Sequence, residues 1–213
     1  MAIELKNSMF IHVPKCGGRT VKQMLKKFVS NCKIVGDDIY ESHATPDTDK
    51  QVFAFVRHPA TFIHSLWTHR SKKKGHGDAW NWQSHLRLER VCKSNNYNTF
   101  IENILDGKNY VYDYYNYYTG KYKNVQFGKM ENLCEDLINI LKQNNEDFDE
   151  KGIRENIYVH GANDKPYFLF LEYYLQRYHN LLIDTLVLKE YLDASSTHRH
   201  DLSFYFYVSK DYE

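Results

Sequence analysis

Residues 9–20 read MFIHVPKCGGRT, and this stretch decides the fold. Its first five residues form a nearly continuous apolar run, which is typical of a strand buried on both faces of a sheet. Pro14 and two glycines, Gly17 and Gly18, end that run. The apolar residues that follow recur at helical spacing: Val21, Met24, Leu25 and Phe28. The sequence therefore predicts a strand over 9–13, a glycine turn, and a helix over about 20–29.

The same order of strand, turn and helix recurs along the chain. Residues 52–56 form a second continuous apolar run, and Pro59 after it suits the first turn of a helix. Further short strands are expected over 32–35 and 125–127, and further helices over 98–105, from Asn132, and over 167–192. Glu135 follows Asn132 by three residues and predicts a capping box. Residues 110–122 have no clean period, and residues 144–164 are polar and predict a loop. Strands that alternate with helices favour an α/β fold with a parallel sheet and helices on both faces.

The length and the net charge of the chain limit the number of domains and the classes of function that it can have. The chain has 213 residues, and 28 Lys and Arg against 27 Asp and Glu leave a formal net charge of +1. This length predicts a single domain over 1–213. The balanced charge does not indicate a globally basic nucleic-acid binder. The basic residues 70–74, with tryptophans nearby, could bind nucleic acid by charge and stacking, but a solvated loop beside buried aromatic residues is favoured. We expect no nucleic-acid partner, and binding of anions has to be local.

Nothing in the pattern indicates a membrane span or export. The longest apolar runs, residues 167–171 and 181–188, fall short of the ~20 apolar residues that a spanning helix needs. The first ten residues lack the basic and apolar regions of a signal peptide, so a cytoplasmic location is expected. The four cysteines are widely spaced, which argues against a disulfide framework or a zinc ribbon. They are Cys16, Cys32, Cys92 and Cys134.

The segment PKCGGRT, residues 14–20, lies where a buried strand turns into a helix. At such a junction the first N–H groups of the helix are unpaired and point at the turn, and glycines let an anion approach the backbone closely. Lys15 adds a mobile charge, and Thr20 adds a hydroxyl that can cap the helix or bind a ligand oxygen. An ordinary glycine turn with a solvated lysine is the alternative. Lys15 precedes both glycines, which is not the order of the nucleotide P-loop.

The spacing of this segment resembles the 5′-phosphosulfate loop of sulfotransferases that use 3′-phosphoadenosine 5′-phosphosulfate (PAPS), especially the carbohydrate branch. That loop reads Pro-Lys-x-Gly/Ala-Gly-Thr-Ser/Thr, and this chain departs from it at Arg19. The resemblance implies a three-layer P-loop-type fold. It also implies that the 5′-phosphate is bound by six consecutive residues: Lys15, Cys16, Gly17, Gly18, Arg19 and Thr20.

Two further stretches resemble the same family. Arg57-His58-Pro59 with Ser65 downstream is similar to its 3′-phosphate motif, and the resemblance implies that Arg57 and Ser65 bind that phosphate. An arginine at a strand end can give a phosphate the bidentate hydrogen bonds that lysine cannot. Many relatives carry a second arginine where this chain has Phe62. Residues 127–137, FGKMENLCEDL, resemble a family pattern whose role looks structural.

The resemblance implies transfer of a sulfuryl group from PAPS to a hydroxyl or amine, without a metal. Lys15 would stabilise the charge on the leaving group, and His43 would be the base, with Glu41 as the alternative. The acceptor could be a small molecule or a glycan, and the oligomeric state stays open. A small-molecule kinase and a non-catalytic anion-binding module remain alternatives. The pattern His198-Arg199-His200 lacks further ligands and does not predict a metal site.

Overall fold

The computed structural model describes residues 2–35, 45–71, 82–83, 85–105 and 110–157. These residues divide into two compact units. The first comprises residues 2–35, 45–68 and 115–157, and the second comprises residues 69–71, 82–83, 85–105 and 110–114. The prediction of a single domain stays a prediction. No helix within the described ranges is long and apolar enough to cross a membrane.

The protein has a mixed α/β architecture, in which strands and helices are interleaved along the chain without strict alternation. The strands are β1 (Ala2–Glu4), β2 (Ser8–Ile11), β3 (Lys33–Val35), β4 (Gln51–Val56) and β5 (Val125–Lys129). The helices are α1 (Gly18–Phe28), α2 (Pro59–Arg70), α3 (Arg87–Cys92), α4 (Tyr97–Leu105), α5 (Tyr110–Thr119), α6 (Leu133–Gln143) and α7 (Glu150–Asn156). A 3₁₀ turn, Met130–Asn132, separates β5 from α6. The predicted helix over 167–192 lies outside the described residues.

The five strands form one open sheet in the first unit, in the order β3-β1-β2-β4-β5. β2, β4 and β5 are parallel, whereas β1 is antiparallel to both of its neighbours, β2 and β3. The prediction of a wholly parallel sheet was therefore wrong. Only three residues connect β1 to β2, and a connection that short can join antiparallel strands only.

The core of this sheet consists of the residues that the apolar runs predict. Phe10 in β2 and Phe53 in β4 are almost completely buried, and their rings lie 5.4 Å apart. α1 buries the stripe that the sequence indicates, including Val21 and Leu25. These contacts confirm that β2 and β4 are buried on both faces, as expected for central parallel strands.

Two local predictions differ from the structure, and one segment without a predicted element is helical. Residues 110–119 form α5, and α7 lies within the predicted loop 144–164. The capping box at α6 does not form, although Asn132 does occupy the position before the helix. Its side chain instead donates a hydrogen bond to Asp136 (2.6 Å), and Glu135 pairs with Arg154 of α7.

Candidate functional site

The carboxyl ends of β2, β4 and β5 lie at one edge of the sheet, because these strands are parallel neighbours. β2 leads into the turn 12–17, β4 leads into Arg57 and His58, and β5 leads into Met130–Asn132. These are the three segments that carry the resemblance described above. In open α/β sheets, ligands bind in the crevice at the carboxyl ends of the parallel strands. A ligand site is therefore expected at this edge.

The first segment is a tight turn with two left-handed residues, Lys15 (φ 68°) and Gly17 (φ 76°). α1 begins at Gly18. The first hydrogen bond of its helical ladder is donated by Val21 N to Gly17 O (3.1 Å). The N–H groups before Val21 have no acceptor within the helix and point back toward the turn. The first turn of α1 contains no acidic residue, and Arg19 there is exposed. The electrostatics of this helix end favour an anion.

Both glycines are also required by packing. A Cβ atom on Gly17 would lie 2.6 Å from Leu133 Cδ1 and 3.3 Å from Met130 Cγ. A Cβ atom on Gly18 would lie 1.8 Å from Cδ2 of His12. The positive φ of Gly17 adds a conformational reason. Contacts within the protein therefore explain the glycines without a ligand, and the anion site depends on the other residues at this edge.

The Arg57 side chain reaches the turn. Its Nε donates a hydrogen bond to Thr61 Oγ1 (3.0 Å), and Nη1 lies 3.4 Å from the Lys15 carbonyl oxygen, a long hydrogen bond. Within the described part of the chain, Arg57 has no carboxylate partner. Ser65 is half-buried in α2, one turn beyond Thr61 on the same helix face. A half-buried guanidinium without a counter-ion is suited to bind an anionic ligand.

Tyr115 of α5 joins the first two segments. Its hydroxyl donates to Arg57 O (3.2 Å) and accepts from Arg57 N (3.4 Å) and from Cys16 Sγ (3.8 Å). Burial raises the pKa of Cys16 to about 12 and raises the pKa of Tyr115 well above its usual value, so both groups are protonated near neutral pH. The Phe62 ring packs on the Tyr115 ring, with centroids 5.2 Å apart. Phe62 thus supports Tyr115 at the position where relatives of the resembled family carry an arginine.

The third segment packs against the other two. His58 N donates a hydrogen bond to Glu131 Oε1 (2.9 Å), and Lys129 N donates to Asp136 Oδ2 (2.7 Å). Burial lowers the pKa of His58, although the Glu131 carboxylate opposes that shift. Because Met130 and Leu133 also cover Gly17, residues 129–136 act as a structural support for the edge.

The structure brings together Lys15 to Thr20 and Arg57 at one sheet edge, and it places Ser65 on the helix that follows Arg57. His43 and Glu41 lie outside the described residues. Sequence reasoning missed Thr61 and Tyr115. Thr61 had a signal, because it follows Arg57 by four residues and precedes Ser65 by four, whereas Tyr115 lies in a tyrosine-dense run without a clear period.

No group of three or more His, Cys, Asp or Glu side chains within the described ranges is placed to hold a metal ion. The pattern His198-Arg199-His200 lies outside those ranges. The edge also carries the carboxylates of Glu131 and Asp136, whose oxygens accept hydrogen bonds from His58 N and Lys129 N.

Comparisons of the chain with protein-family models, with curated proteins and with solved structures found no match.

Proposed function

We propose that this protein is a sulfotransferase that moves a sulfuryl group from PAPS to a hydroxyl or amine of a small-molecule or glycan acceptor. One observation carries the proposal: the Arg57 guanidinium lies 3.4 Å from the Lys15 carbonyl oxygen. The two segments that resemble the 5′- and 3′-phosphate motifs are therefore adjacent, although 42 positions separate Lys15 from Arg57 in the sequence. We also propose that helices cover both faces of the sheet in a three-layer, P-loop-type arrangement.

The donor nucleotide would be held from two sides. The backbone amides of residues 16–20 would bind the 5′-phosphate, and Arg57 with Ser65 would bind the 3′-phosphate. A guanidinium has five N–H donors, and Arg57 uses two of them within the described part of the protein, on Thr61 and on Lys15. Three donors would remain for phosphate oxygens. Thr61 fixes the guanidinium before the ligand arrives, which reduces the entropy lost on binding.

The chemistry would be a single in-line displacement. The acceptor oxygen or nitrogen forms a bond to sulfur while the bond from sulfur to the 5′-phosphate oxygen breaks, and 3′-phosphoadenosine 5′-phosphate (PAP) leaves. Negative charge collects on that phosphate oxygen, and Lys15 would donate a hydrogen bond to it. The acceptor proton would pass to His43 or to Glu41. Since Cys16 is protonated near neutral pH, direct transfer is favoured over a cysteine-bound intermediate.

Two alternatives predict different ligands. A kinase with a P-loop-like site would need Mg²⁺ and a carboxylate at a strand end to hold it. The residues after β2 and β4 are His12 and Arg57, neither of which is acidic. Glu131 follows β5 by two residues, and its carboxylate accepts a hydrogen bond from His58 N. An anion-binding module without catalysis would bind PAP or simple phosphates but would transfer nothing.

Isothermal titration calorimetry with PAP and ADP, each with and without Mg²⁺, separates these functions. We expect PAP to bind without Mg²⁺ and at least about tenfold more tightly than ADP, since hydrogen bonds to a charged phosphate each contribute about 1.5–3 kcal/mol. Arg57→Gln should remove this preference. Arg154→Gln, which removes an equal charge from exposed α7, should keep it. Equal affinities, or a requirement for Mg²⁺, would contradict the proposal.

A transfer assay completes the test. The protein is incubated with ³⁵S-labelled PAPS and a panel of hydroxylated and amino acceptors, including free monosaccharides, and labelled products are separated. Transfer of label to at least one acceptor class would support the proposal that the protein is a sulfotransferase. Tight PAP binding without transfer to any acceptor in the panel would instead favour the binding module.

A further inference from the structure

One hydroxyl group connects the two segments of the candidate site. Tyr115 Oη donates to Arg57 O at 3.2 Å and accepts from Arg57 N at 3.4 Å and from Cys16 Sγ at 3.8 Å. A phenol has one donor hydrogen and can accept two hydrogen bonds. All of its hydrogen-bonding capacity is therefore used in holding these two residues.

The contacts act on the backbone of Arg57 and on the side chain of Cys16. Both polar groups of Arg57's main chain bind the same oxygen, which fixes the direction in which the residue leaves β4. Cys16 lies between the left-handed residues Lys15 and Gly17, so its contact fixes the middle of the turn. The separation between the turn amides and the guanidinium is thus set by a residue from a third element, α5.

The aromatic ring of Tyr115 is itself held in place. It packs on Phe62, which is fully buried in α2, with the ring centroids 5.2 Å apart. Burial raises the pKa of the Tyr115 hydroxyl well above its usual value, so the hydroxyl is protonated near neutral pH and can donate to the Arg57 carbonyl. A ligand cannot use this hydroxyl without breaking one of its three contacts.

We propose that Tyr115 is a positioning residue that sets the distance between the turn amides and the Arg57 guanidinium, and that it thereby makes the site selective for a nucleotide with phosphates at both the 3′ and 5′ positions. This inference rests on the proposed function. Tyr115 touches no reacting atom in this role. Its contribution is to preorganise two groups that bind the two ends of one ligand.

Tyr115→Phe tests the inference, because it removes the hydroxyl and keeps the ring on Phe62. Calorimetry gives the affinities for PAP and for AMP, which lacks the 3′-phosphate, and their ratio is the selectivity. We expect the ratio to fall about five- to tenfold in Tyr115→Phe. A change of this size corresponds to the contribution of roughly one hydrogen bond, which the variant no longer makes to Arg57. Tyr117→Phe, two residues along the same helix at a side chain that is 56% exposed, should leave the ratio unchanged.

Hydrogen–deuterium exchange of the ligand-free protein supplies a readout that does not depend on the nucleotide. Exchange of the amides in residues 15–20 should be faster in Tyr115→Phe than in the wild type and in Tyr117→Phe. An unchanged selectivity ratio, or an equal loss in Tyr117→Phe, would overturn the inference. Should Tyr115→Phe not fold, Phe62→Leu, which keeps the hydroxyl but loses the ring contact, is judged by the same ratio.

Failure of the proposed function has a different signature. If the wild-type protein binds PAP no better than AMP, the proposed function is wrong and the selectivity assigned to Tyr115 falls with it. If the wild type prefers PAP and Tyr115→Phe keeps that preference, only the role of Tyr115 is wrong.

Discussion

At the scale of single residues, the backbone of Lys15 is the most unusual feature of the site. A left-handed φ of 68° costs a residue with a Cβ atom roughly 1–2 kcal/mol, whereas Gly17 adopts φ 76° with little cost. Such a residue persists only where its surroundings hold it, and strained residues of this kind cluster at functional sites. In this conformation, the Lys15 carbonyl lies within reach of Arg57, and the two segments of the site are brought together.

The roles proposed for Lys15 and Arg57 predict effects on two different quantities, the rate of transfer and the affinity for the donor. Lys15→Ala should lower kcat by about 10²–10³, the usual effect of removing a group that stabilises charge in the transition state. Arg57→Ala should mainly raise the Kd for PAP, by about tenfold or more, because it removes a charged contact to the donor. Steady-state transfer of ³⁵S-sulfate and calorimetry measure the two quantities.

Lys26→Ala, at an exposed position in the last turn of α1, is the matched control and should change neither quantity. Full kcat in Lys15→Ala would exclude its role in transfer. A loss of kcat at saturating donor in Arg57→Ala, with unchanged Kd, would assign Arg57 to the reaction instead of to donor binding.

The candidate site could be predicted in part, because local motifs place Lys15, Arg57 and Ser65 at strand ends and on the following helix. Tyr115 could not be predicted in this way. It lies 58 positions from Arg57 in the sequence, and only the tertiary fold brings its hydroxyl to both motifs. Its neighbours are tyrosines on several faces of α5, so no periodic pattern distinguishes Tyr115 from them.

At the scale of elements, the apolar runs and amphipathic stripes within the described residues predicted their strands and helices correctly, with bounds shifted by a few residues. α7 is different. It has seven residues, EKGIREN, of which only Gly152 and Ile153 are buried, and this is too short and too polar for a periodic signal. Its start depends on Asp149, whose side chain accepts a hydrogen bond from Gly152 N (2.9 Å). Packing and capping, rather than hydrophobic pattern, make this segment helical.

Gly152 allows a test of how closely α7 packs. In an exposed helix, replacing glycine with alanine stabilises by about 1 kcal/mol. Here a Cβ atom would lie 2.4 Å from the Phe28 ring of α1, and overpacking of this kind typically costs about 1–3 kcal/mol. We expect Gly152→Ala to lower the free energy of unfolding, measured by urea denaturation. Lys151→Ala, at the exposed neighbouring position, should change it by less than about 0.5 kcal/mol. A more stable Gly152→Ala protein would contradict the close packing.

At the scale of the whole molecule, the sequence pattern did not predict which strands run parallel and which run antiparallel. Apolar runs indicate burial, and burial is compatible with parallel and antiparallel neighbours. The length of the connection decides: three residues lie between Glu4 and Ser8, and Leu5 N donates a hydrogen bond to Ser8 O (2.9 Å). Ser8 and Asn7 also bind the carboxylate of Glu146, which holds this turn from a distant part of the chain.

The second unit contains a buried ion pair whose loss should destabilise it. Glu89 is fully buried, Arg70 Nη2 donates to its Oε1 (2.9 Å), and Arg70 Nε lies 2.8 Å from Oε2. Gln83 N also donates to Oε2 (2.7 Å). Glu89→Ala leaves a buried guanidinium uncompensated, which typically costs about 3–5 kcal/mol. Hydrogen–deuterium exchange of residues 85–105 should become much faster.

Glu102→Ala, at an exposed position of α4 in the same unit, is the control and should leave that exchange unchanged. Equal exchange in Glu89→Ala and the wild type would mean that the ion pair contributes little to the stability of the second unit.

The position of β1 has a practical consequence for anyone who shortens the protein. Ala2 and Ile3 are completely buried, and β1 lies between β2 and β3, so these first residues are an interior strand of the sheet. Deleting residues 1–5 would detach β3 and leave the backbone of β2 without a partner along one side. Bare strand edges of this kind pair with other chains. Truncation at the amino end would therefore invite self-association, even though none of the deleted residues belongs to the candidate site.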